Sequence, residues 1–283
     1  MYISCLLINV GDNPDRPRPG RLWLRNLYHV HQRLCMAFPS HPQKDPHFLA
    51  PFKPADFDGK QVHVERGADS GFLFRIDPQL GGRAMIVVQS ATKPDWDYAF
   101  QNAGHLLVNS FAAPPQVKEL DPCFSAGQQL RFRIRVNLSK KIKTSTAGID
   151  LTRPRVGTDP QGRPKAQSKR VALTWDKDQD PQDAIREWFA KKAQNGGFKL
   201  GALRALHIGW GAGNDPDSTP AVQDSRSGDR RMKFRSALLE GTLTVEDPAK
   251  FREAVVHGIG PGKAFGFGLL SVAPEARSAG GDV

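Results

Sequence analysis

The chain has 283 residues and a mass of 31.2 kDa, which is enough for one large or two small domains. Hydrophobic residues make up 39% and charged residues 24% of it, which excludes a disordered acidic chain, a collagen and a small disulfide-stapled protein. Lys and Arg number 40 against 29 Asp and Glu, so the formal net charge is +11. This excess favours an anionic partner, with nucleic acid as the first expectation.

The cysteines and the apolar runs bear on the cellular compartment. Cys5, Cys35 and Cys123 form no CxxC pair, so the sequence predicts neither a disulfide framework nor a thiolate zinc site. The first residues lack the pattern of a signal peptide, and no stretch approaches the roughly 18 apolar residues of a membrane span. We therefore expect a cytoplasmic protein that does not associate with membranes.

The first half of the chain predicts the element order of a ferredoxin-like domain, which is also the scaffold of RNA-recognition modules. Apolar residues recur at intervals of three and four in the first helix, at Leu27, Val30, Leu34 and Phe38. The predicted elements are a strand at 3–10, a helix at 27–38, strands at 71–76 and 84–88, a helix after Trp96 and a strand at 130–138.

The strand at 130–138 has the clearest alternation in the sequence. Side chains alternate between faces along a strand, so one face is predicted to be core and the other a row of guanidinium groups. The predicted core face carries Phe132, Ile134, Val136 and Leu138, and the basic face carries Arg131, Arg133 and Arg135.

The second half repeats this order without a repeat in sequence. Its predicted elements are a strand at 171–175, a helix at 181–194, strands at 203–210 and 233–245, a helix at 248–257 and a strand at 265–272. Asp180 and Asp247 each precede a proline, the signature of a capped helix start. We predict an α+β protein with two tandem ferredoxin-like (RRM-like) domains at 1–143 and 171–274, a basic connector at 144–170, a tail at 275–283 and loops at 40–60 and 211–230.

Basic residues concentrate between the two predicted domains. From Lys140 to Arg170 there are nine Lys and Arg against two acidic residues, Asp150 and Asp159. A local stripe of this kind can follow a phosphate backbone. Charge alone leaves a solvated linker equally open.

The run GIGPGKAFGFG at 258–268 is the most distinctive local feature. It is not a Walker loop, because Ala264 follows Lys263 and the run leads from a helix into a strand; a dinucleotide fingerprint fails for the same topological reason. A tight connection alone would not need five glycines. We therefore interpret the run as a bare backbone that approaches phosphates, with Lys263 as a point charge.

Tyr28 and His31 stand out on the first helix. At about 100° per residue they share one flank of the apolar stripe, whereas His29 faces away. Such a pair can transfer protons without a metal, and RNA supplies its own nucleophile in the 2′-hydroxyl. Ordinary packing at the edge of a core fits the same spacing. The eight histidines show no metal-binding pattern, so no metal or other cofactor is predicted.

The sequence resembles the CRISPR repeat-processing endoribonucleases of the CasE type, within the RAMP superfamily. The glycine-rich end is the most specific match, and the matches cover both ends and the middle of the chain. In order they are MYISCLLIN at the start, LYHVHQRLCMAFP on the first helix, KPDW at 93–96, GQQLRFRIRVN at 127–137, KRVAL at 169–173, FKL at 198–200 and GIGPGKAFGFGLLSVAP at 258–274.

The resemblance implies metal-independent cleavage of CRISPR precursor RNA at the repeat hairpin, with a 2′,3′-cyclic phosphate product. It also implies that the enzyme stays on the mature crRNA and joins other subunits of a type I-E Cascade complex. The family's catalytic histidine falls on His31, with Tyr28 as its partner. The RNA-binding residues that chemistry and resemblance indicate together are Arg131, Arg133, Arg135, Lys140, Lys143, Lys169, Arg170, Gly260, Gly262 and Lys263.

Two other interpretations stay open. A non-catalytic crRNA-binding scaffold subunit of the same superfamily would share the basic features, and the pair of Tyr28 and His31 is what separates it from an enzyme. A nucleotide-binding enzyme would depend on the glycine-rich run, which follows the wrong element for that purpose.

Overall fold

The computed structural model describes residues 1–9, 27–38, 71–80, 83–102, 113–143, 168–210, 222–223, 231–232 and 234–275. Predictions that fall on the loop 40–60, most of the connector 144–170 and most of the tail 275–283 lie outside these ranges. Among the described helices, none is long and apolar enough to cross a membrane.

The regular elements follow one another in two groups. The first group is β1 (Tyr2–Asn9), α1 (Leu27–Cys35), β2 (Phe72–Gln79), β3 (Arg83–Ser90), α2 (Trp96–Asn102) and β4 (Gln116–Glu119). The second is β5 (Gln129–Asn137), β6 (Ser139–Lys143), β7 (Ser168–Ala172), α3 (Pro181–Asn195), β8 (Phe198–Trp210), β9 (Val222–Gln223), β10 (Arg231–Met232), β11 (Arg235–Val245), α4 (Pro248–His257), a 3-10 turn (Lys263–Phe265) and β12 (Ser271–Pro274).

Each group builds one four-stranded antiparallel sheet. The strand orders are β2-β3-β1-β4 in the N-terminal unit and β12-β5-β11-β8 in the C-terminal unit. In both, the fourth, first, third and second strands of a βαββαβ chain path lie side by side, which is the ferredoxin-like arrangement. The predicted fold class, two ferredoxin-like domains in an α+β protein, is confirmed.

The assignment of strands to the two units needs one correction. β5, predicted to close the N-terminal domain 1–143, instead opens the C-terminal unit, because it pairs with β11 and β12. The strand that closes the first sheet is β4, which pairs with β1. The strand predicted at 171–175 to open the second domain is β7, and it forms a two-stranded ribbon with β6. This ribbon is therefore an insertion between β5 and α3.

The end of the second unit also differs from the prediction of a strand at 265–272. A 3-10 turn occupies Lys263–Phe265, and β12 begins only at Ser271. Gly266 and Gly268 have φ of 79° and 89°, values that lie outside the β region and interrupt an extended strand.

Both units have a buried core between the sheet and its helices. In the N-terminal unit, Val30 and Leu34 of α1 pack against buried β-strand residues such as Phe74 and Ile86. In the C-terminal unit, the alternating apolar residues of β5 pack against Ile185 and Phe189 of α3. The predicted apolar stripe of α1 and core face of β5 are confirmed.

The predicted caps of the later helices are confirmed as well. The Asp180 carboxylate accepts a hydrogen bond of 2.8 Å from the backbone N–H of Gln182, and the Asp247 carboxylate accepts one of 3.1 Å from that of Lys250. Each cap satisfies a backbone donor that the first turn of a helix leaves unpaired. The hydrogen bonds to Lys250 lower the pKa of Asp247.

Candidate functional site

His31 lies at the edge of the N-terminal core, on the flank of α1 that the helical periodicity predicts. Its imidazole stacks on Phe72 with ring centroids 5.0 Å apart and on Phe74 at 6.4 Å. Nε2 lies 3.7 Å from the Sγ atom of Cys35, one turn further along the helix. The ring is half-buried, so two aromatic rings and a thiol set the orientation of a titratable group at the surface.

Tyr28 belongs to the same helix, three residues before His31. The side chains of Tyr28 and His29 lie outside the part of the chain that the structure describes. The pairing of Tyr28 with His31 therefore stays a prediction from the sequence.

The glycine-rich run of the C-terminal unit meets the histidine-bearing part of the N-terminal unit. The 3-10 turn that contains Lys263 packs against α1 and β2. A Cβ atom built on Gly258 would lie 2.7 Å from a methyl group of Leu73, and one on Gly266 would lie 3.0 Å from the ring of Phe74. His31 and Lys263 thus belong to two elements that pack together, one from each unit.

The backbone of this run explains its glycines. All five have a positive φ, namely Gly258, Gly260, Gly262, Gly266 and Gly268. The premise that a tight connection would not need five glycines is therefore wrong, since each stands where an L side chain is strained. A Cβ on Gly260 would meet nothing within 4 Å, so of the two predicted binding glycines this one leaves open space for a ligand, whereas Gly262 packs on Phe267.

The arginines of β5 differ in their surroundings. Arg131 is exposed, and Arg133 is 44% exposed and forms an ion pair with Glu240 of β11. Arg135 is only 8% exposed, and this burial lowers the pKa of its guanidinium. The prediction of a single exposed row of three arginines is therefore wrong, because Arg135 is buried near Arg75 and Asp77 of the N-terminal unit. Arg131 and Arg133 are the members that a ligand can reach.

The basic ribbon β6–β7 places cations opposite one another. Lys141 pairs in register with Arg170, and Ile142 pairs with Lys169. Lys140, Lys141 and Arg170 are exposed, as is the apolar side chain of Ile142. Like charges directly opposite on two strands repel each other, so an anion that lay against this ribbon would relieve the repulsion.

Several features of the site were missed by sequence reasoning. Lys141 belongs to the basic stripe but was not among the predicted binding residues; its register with Arg170 becomes visible only once the ribbon is paired. The contact of Cys35 with His31 was predictable, because Cys35 stands four residues after His31 on the same helix. Within the described ranges, no group of three or more His, Cys, Asp or Glu residues is arranged to hold a metal ion.

Comparisons with known proteins agree with this architecture. The family model described as CRISPR associated protein matches residues 1–274. A curated relative, the CRISPR-associated endoribonuclease Cse3 of Thermus thermophilus, is 30% identical over 281 residues, covering 97% of this chain and 100% of the relative. The CRISPR system Cascade subunit CasE of Escherichia coli is 26% identical over 277 residues, covering 97% and 100%.

A solved structure of a relative is similar to this chain in fold as well. Thermus thermophilus Cse3 bound to an RNA representing a pre-cleavage complex superposes with a TM-score of 0.59 at 25% identity, covering 96% of this chain and 98% of that one. The family match spans nearly the whole chain, and both sheets fall within it. The chain therefore belongs to the CRISPR-associated protein family, and within it to the Cse3/CasE type.

Proposed function

We propose that the protein is an endoribonuclease that cuts CRISPR precursor RNA at the repeat hairpin and stays on the mature crRNA as a Cascade subunit. The observation that carries this proposal is the position of His31, an oriented and half-exposed imidazole on the helix that packs against the glycine-rich run. The names of the curated relatives, an endoribonuclease and a Cascade subunit, support it, as does the RNA-bound solved relative.

The proposed reaction needs only proton transfers and geometry. The 2′-oxygen of the nucleotide before the cut attacks the adjacent phosphorus, and the bond from phosphorus to the 5′-oxygen breaks. The 2′-hydroxyl loses one proton and the leaving 5′-oxygen gains one, so the products are a 2′,3′-cyclic phosphate and a 5′-hydroxyl end. No water, metal or redox partner enters this balance.

His31 and Tyr28 take the proton-transfer roles in this proposal. Imidazole is the side chain whose unperturbed pKa lies closest to neutrality, so it can accept or donate a proton under physiological conditions. The phenylalanine rings that hold His31 fix its direction before RNA binds, which lowers the entropic cost of reaching an in-line geometry. Lys263 stabilises charge on the phosphate.

Basic groups on the β6–β7 ribbon and on β5 hold the hairpin. The exposed side chains of Lys140, Lys141 and Arg170 on the ribbon, with Arg131 on the sheet, supply phosphate contacts. Lys143, Lys169, Arg133, Gly260 and Gly262 are further contacts in this proposal. RNA between Lys141 and Arg170 would relieve the repulsion of that cross-strand pair. The binding free energy is therefore more favourable than the same number of evenly spread basic residues would give.

The test is cleavage of a labelled cognate repeat hairpin in the presence of EDTA. We expect the wild type to cut at one position and leave a cyclic phosphate. His31→Ala should slow single-turnover cleavage about 100-fold or more, because a positioned acid or base contributes at least that much. Its affinity for the hairpin should stay close to that of the wild type.

His29→Ala is the matched control, since the helical periodicity turns it away from His31 and cleavage should persist. Tyr28→Phe tests the predicted partner on the same helix. Binding of the true repeat without any cleavage by the wild type would favour the scaffold interpretation. Loss of hairpin binding in a folded His31→Ala protein would contradict the catalytic role.

A further inference from the structure

Arg75 on β2 is a buried arginine that joins the two units. The residue is only 3% exposed, and Nη1 donates to the carbonyl oxygens of Arg133 (3.2 Å) and Leu269 (3.3 Å) and to the hydroxyl of Ser271 (2.9 Å). These three acceptors belong to the C-terminal unit. One guanidinium therefore ties the edge strand of the first sheet to β5 and to the segment that follows the glycine-rich run.

Asp77, two residues further along β2, neutralises this buried charge. Its carboxylate accepts from Nε of Arg75 at 2.9 and 3.0 Å and from Nη2 at 2.9 Å. Asp77 is 5% exposed, and its second oxygen lies 3.8 Å from a guanidinium nitrogen of Arg133. An unpaired charge at this depth would be costly, so the two side chains are stable only together.

Side chains of β2 alternate between two faces, and Phe74, on the face that carries His31, also packs against Gly266 of the glycine-rich run. Phe72 and Phe74 carry the imidazole of His31 on one face. Arg75 and Asp77, which alternate with them, contact the C-terminal unit on the other. Any shift of β2 relative to the second sheet therefore moves the imidazole relative to Lys263 and to the arginines of β5.

We propose that Arg75 and Asp77 form an interdomain clasp that positions His31 against RNA held by the C-terminal unit. This inference rests on the proposed function, and it makes both groups positioning residues that touch no RNA. The clasp sets the distance between the reacting phosphate and the imidazole. Misplacement by about 1 Å is enough to slow a reaction about 100-fold.

The test separates the rate of cleavage from the affinity for RNA. Arg75→Lys keeps the charge beside Asp77 but loses the fork that reaches three acceptors, and Asp77→Asn keeps the shape but removes the charge. In the full chain, with saturating cognate hairpin and at a temperature where each variant is folded, we expect single-turnover cleavage to fall about 10-fold to 100-fold. For Arg75→Lys the Kd for the hairpin should change less than about threefold, because Arg75 contacts no RNA. Asp77→Asn also removes a carboxylate beside Arg133, a proposed RNA contact, so its Kd should not rise.

Arg252→Lys is the control, since this arginine forms an exposed ion pair with Asp121 at 3.3 Å and should leave both quantities unchanged. Ser271→Ala removes one acceptor without disturbing a charge; we expect a loss of about fivefold in rate, and this variant decides the matter if the charged variants do not fold. Unchanged rates in folded variants, or equal losses in rate and affinity, would overturn the clasp. Failure of the wild type to cleave would instead overturn the proposed function.

Discussion

The imidazole of His31 is constrained from two directions. Phe72 and Phe74 lie along its ring, and Cys35 lies beside Nε2 on the same helix. Aromatic stacking of this kind restricts rotation of the ring, so the direction of its nitrogens is set by the fold. A group that must meet a phosphate in line benefits from such restriction, because less conformational entropy is lost when RNA binds.

Two arginines of β5 with the same predicted role should separate in experiment. Arg135→Gln is expected to lower the free energy of unfolding by about 2 kcal/mol, because the guanidinium is buried at the contact between the units. Arg131→Gln should change it by no more than about 0.5 kcal/mol, because Arg131 is exposed. Urea unfolding of both variants measures the difference.

The two substitutions should have the reverse order of effect on RNA binding, where Arg131→Gln is expected to cause the larger loss. Arg131→Gln is expected to weaken hairpin binding and to reduce the slope of log K against log salt by about 1, which is the mark of one lost phosphate contact. Titrations at several salt concentrations check this. Equal losses of stability in the two variants would contradict the assignment of Arg135 to the interface.

Two glycines of the glycine-rich run separate the cost of a positive φ from the cost of a steric contact. Gly268 has a φ of 89°, and a Cβ there would lie 2.7 Å from the carbonyl oxygen of Ile259. Gly260 has a φ of 82° but open space around it. Gly260→Ala should therefore cost only the conformational strain, about 1 kcal/mol, and Gly268→Ala should cost clearly more because the backbone must shift.

Thermal and urea unfolding of both variants measure these costs. If Gly260 is also where the run approaches RNA, Gly260→Ala should weaken hairpin binding by more than its small loss of stability explains. Equal destabilisation by the two substitutions would mean that steric contact with Ile259 contributes nothing at Gly268.

The whole molecule is held together partly by a side chain that caps a helix of the other unit. Nε2 of Gln89, on β3, donates to the carbonyl oxygens of Val255 (2.7 Å) and Val256 (3.1 Å). These carbonyls are in the last turn of α4, where a helix lacks internal partners. Gln89 and Val255 are buried, so the shorter of the two hydrogen bonds is shielded from water, whereas Val256 is half-buried.

Gln89→Met keeps the size of the side chain and removes the donor. We expect a loss of about 1 to 3 kcal/mol in the free energy of unfolding, because the buried carbonyl of Val255 and the half-buried carbonyl of Val256 lose a partner. Hydrogen exchange should show reduced protection in both units, since docking is weakened. Reduced protection confined to β3 would contradict an interdomain role for Gln89.

The sequence predicted the elements better than their partners. Alternation along β5 identified its buried face, but the period of two is the same whichever sheet a strand joins, so the assignment to the first domain was wrong. β4 was missed because its four residues are all exposed and carry no apolar alternation. The helix caps at Asp180 and Asp247 were predictable, because capping depends on neighbours in the chain.

In the candidate site, too, features that depend on one element were predictable, whereas features that depend on contacts between elements were not. His31 was predictable because its position relative to the apolar stripe follows from one helix. Burial of Arg135 and the contacts of Arg75 depend on how the two units dock, which no local pattern encodes. The five glycines were visible in the sequence, but their positive φ values give a structural reason for them that composition did not reveal.

The proposed function is tested most sharply by removing one oxygen atom, that of the attacking 2′-hydroxyl, from the substrate. After the cut in the cognate repeat hairpin has been mapped, the same RNA is made with a single 2′-deoxynucleotide immediately before the cut. We expect the wild-type protein to bind this RNA with nearly unchanged affinity and not to cleave it. Cleavage at that position at the normal rate would show that the 2′-hydroxyl is not the nucleophile, and the proposed reaction would be wrong.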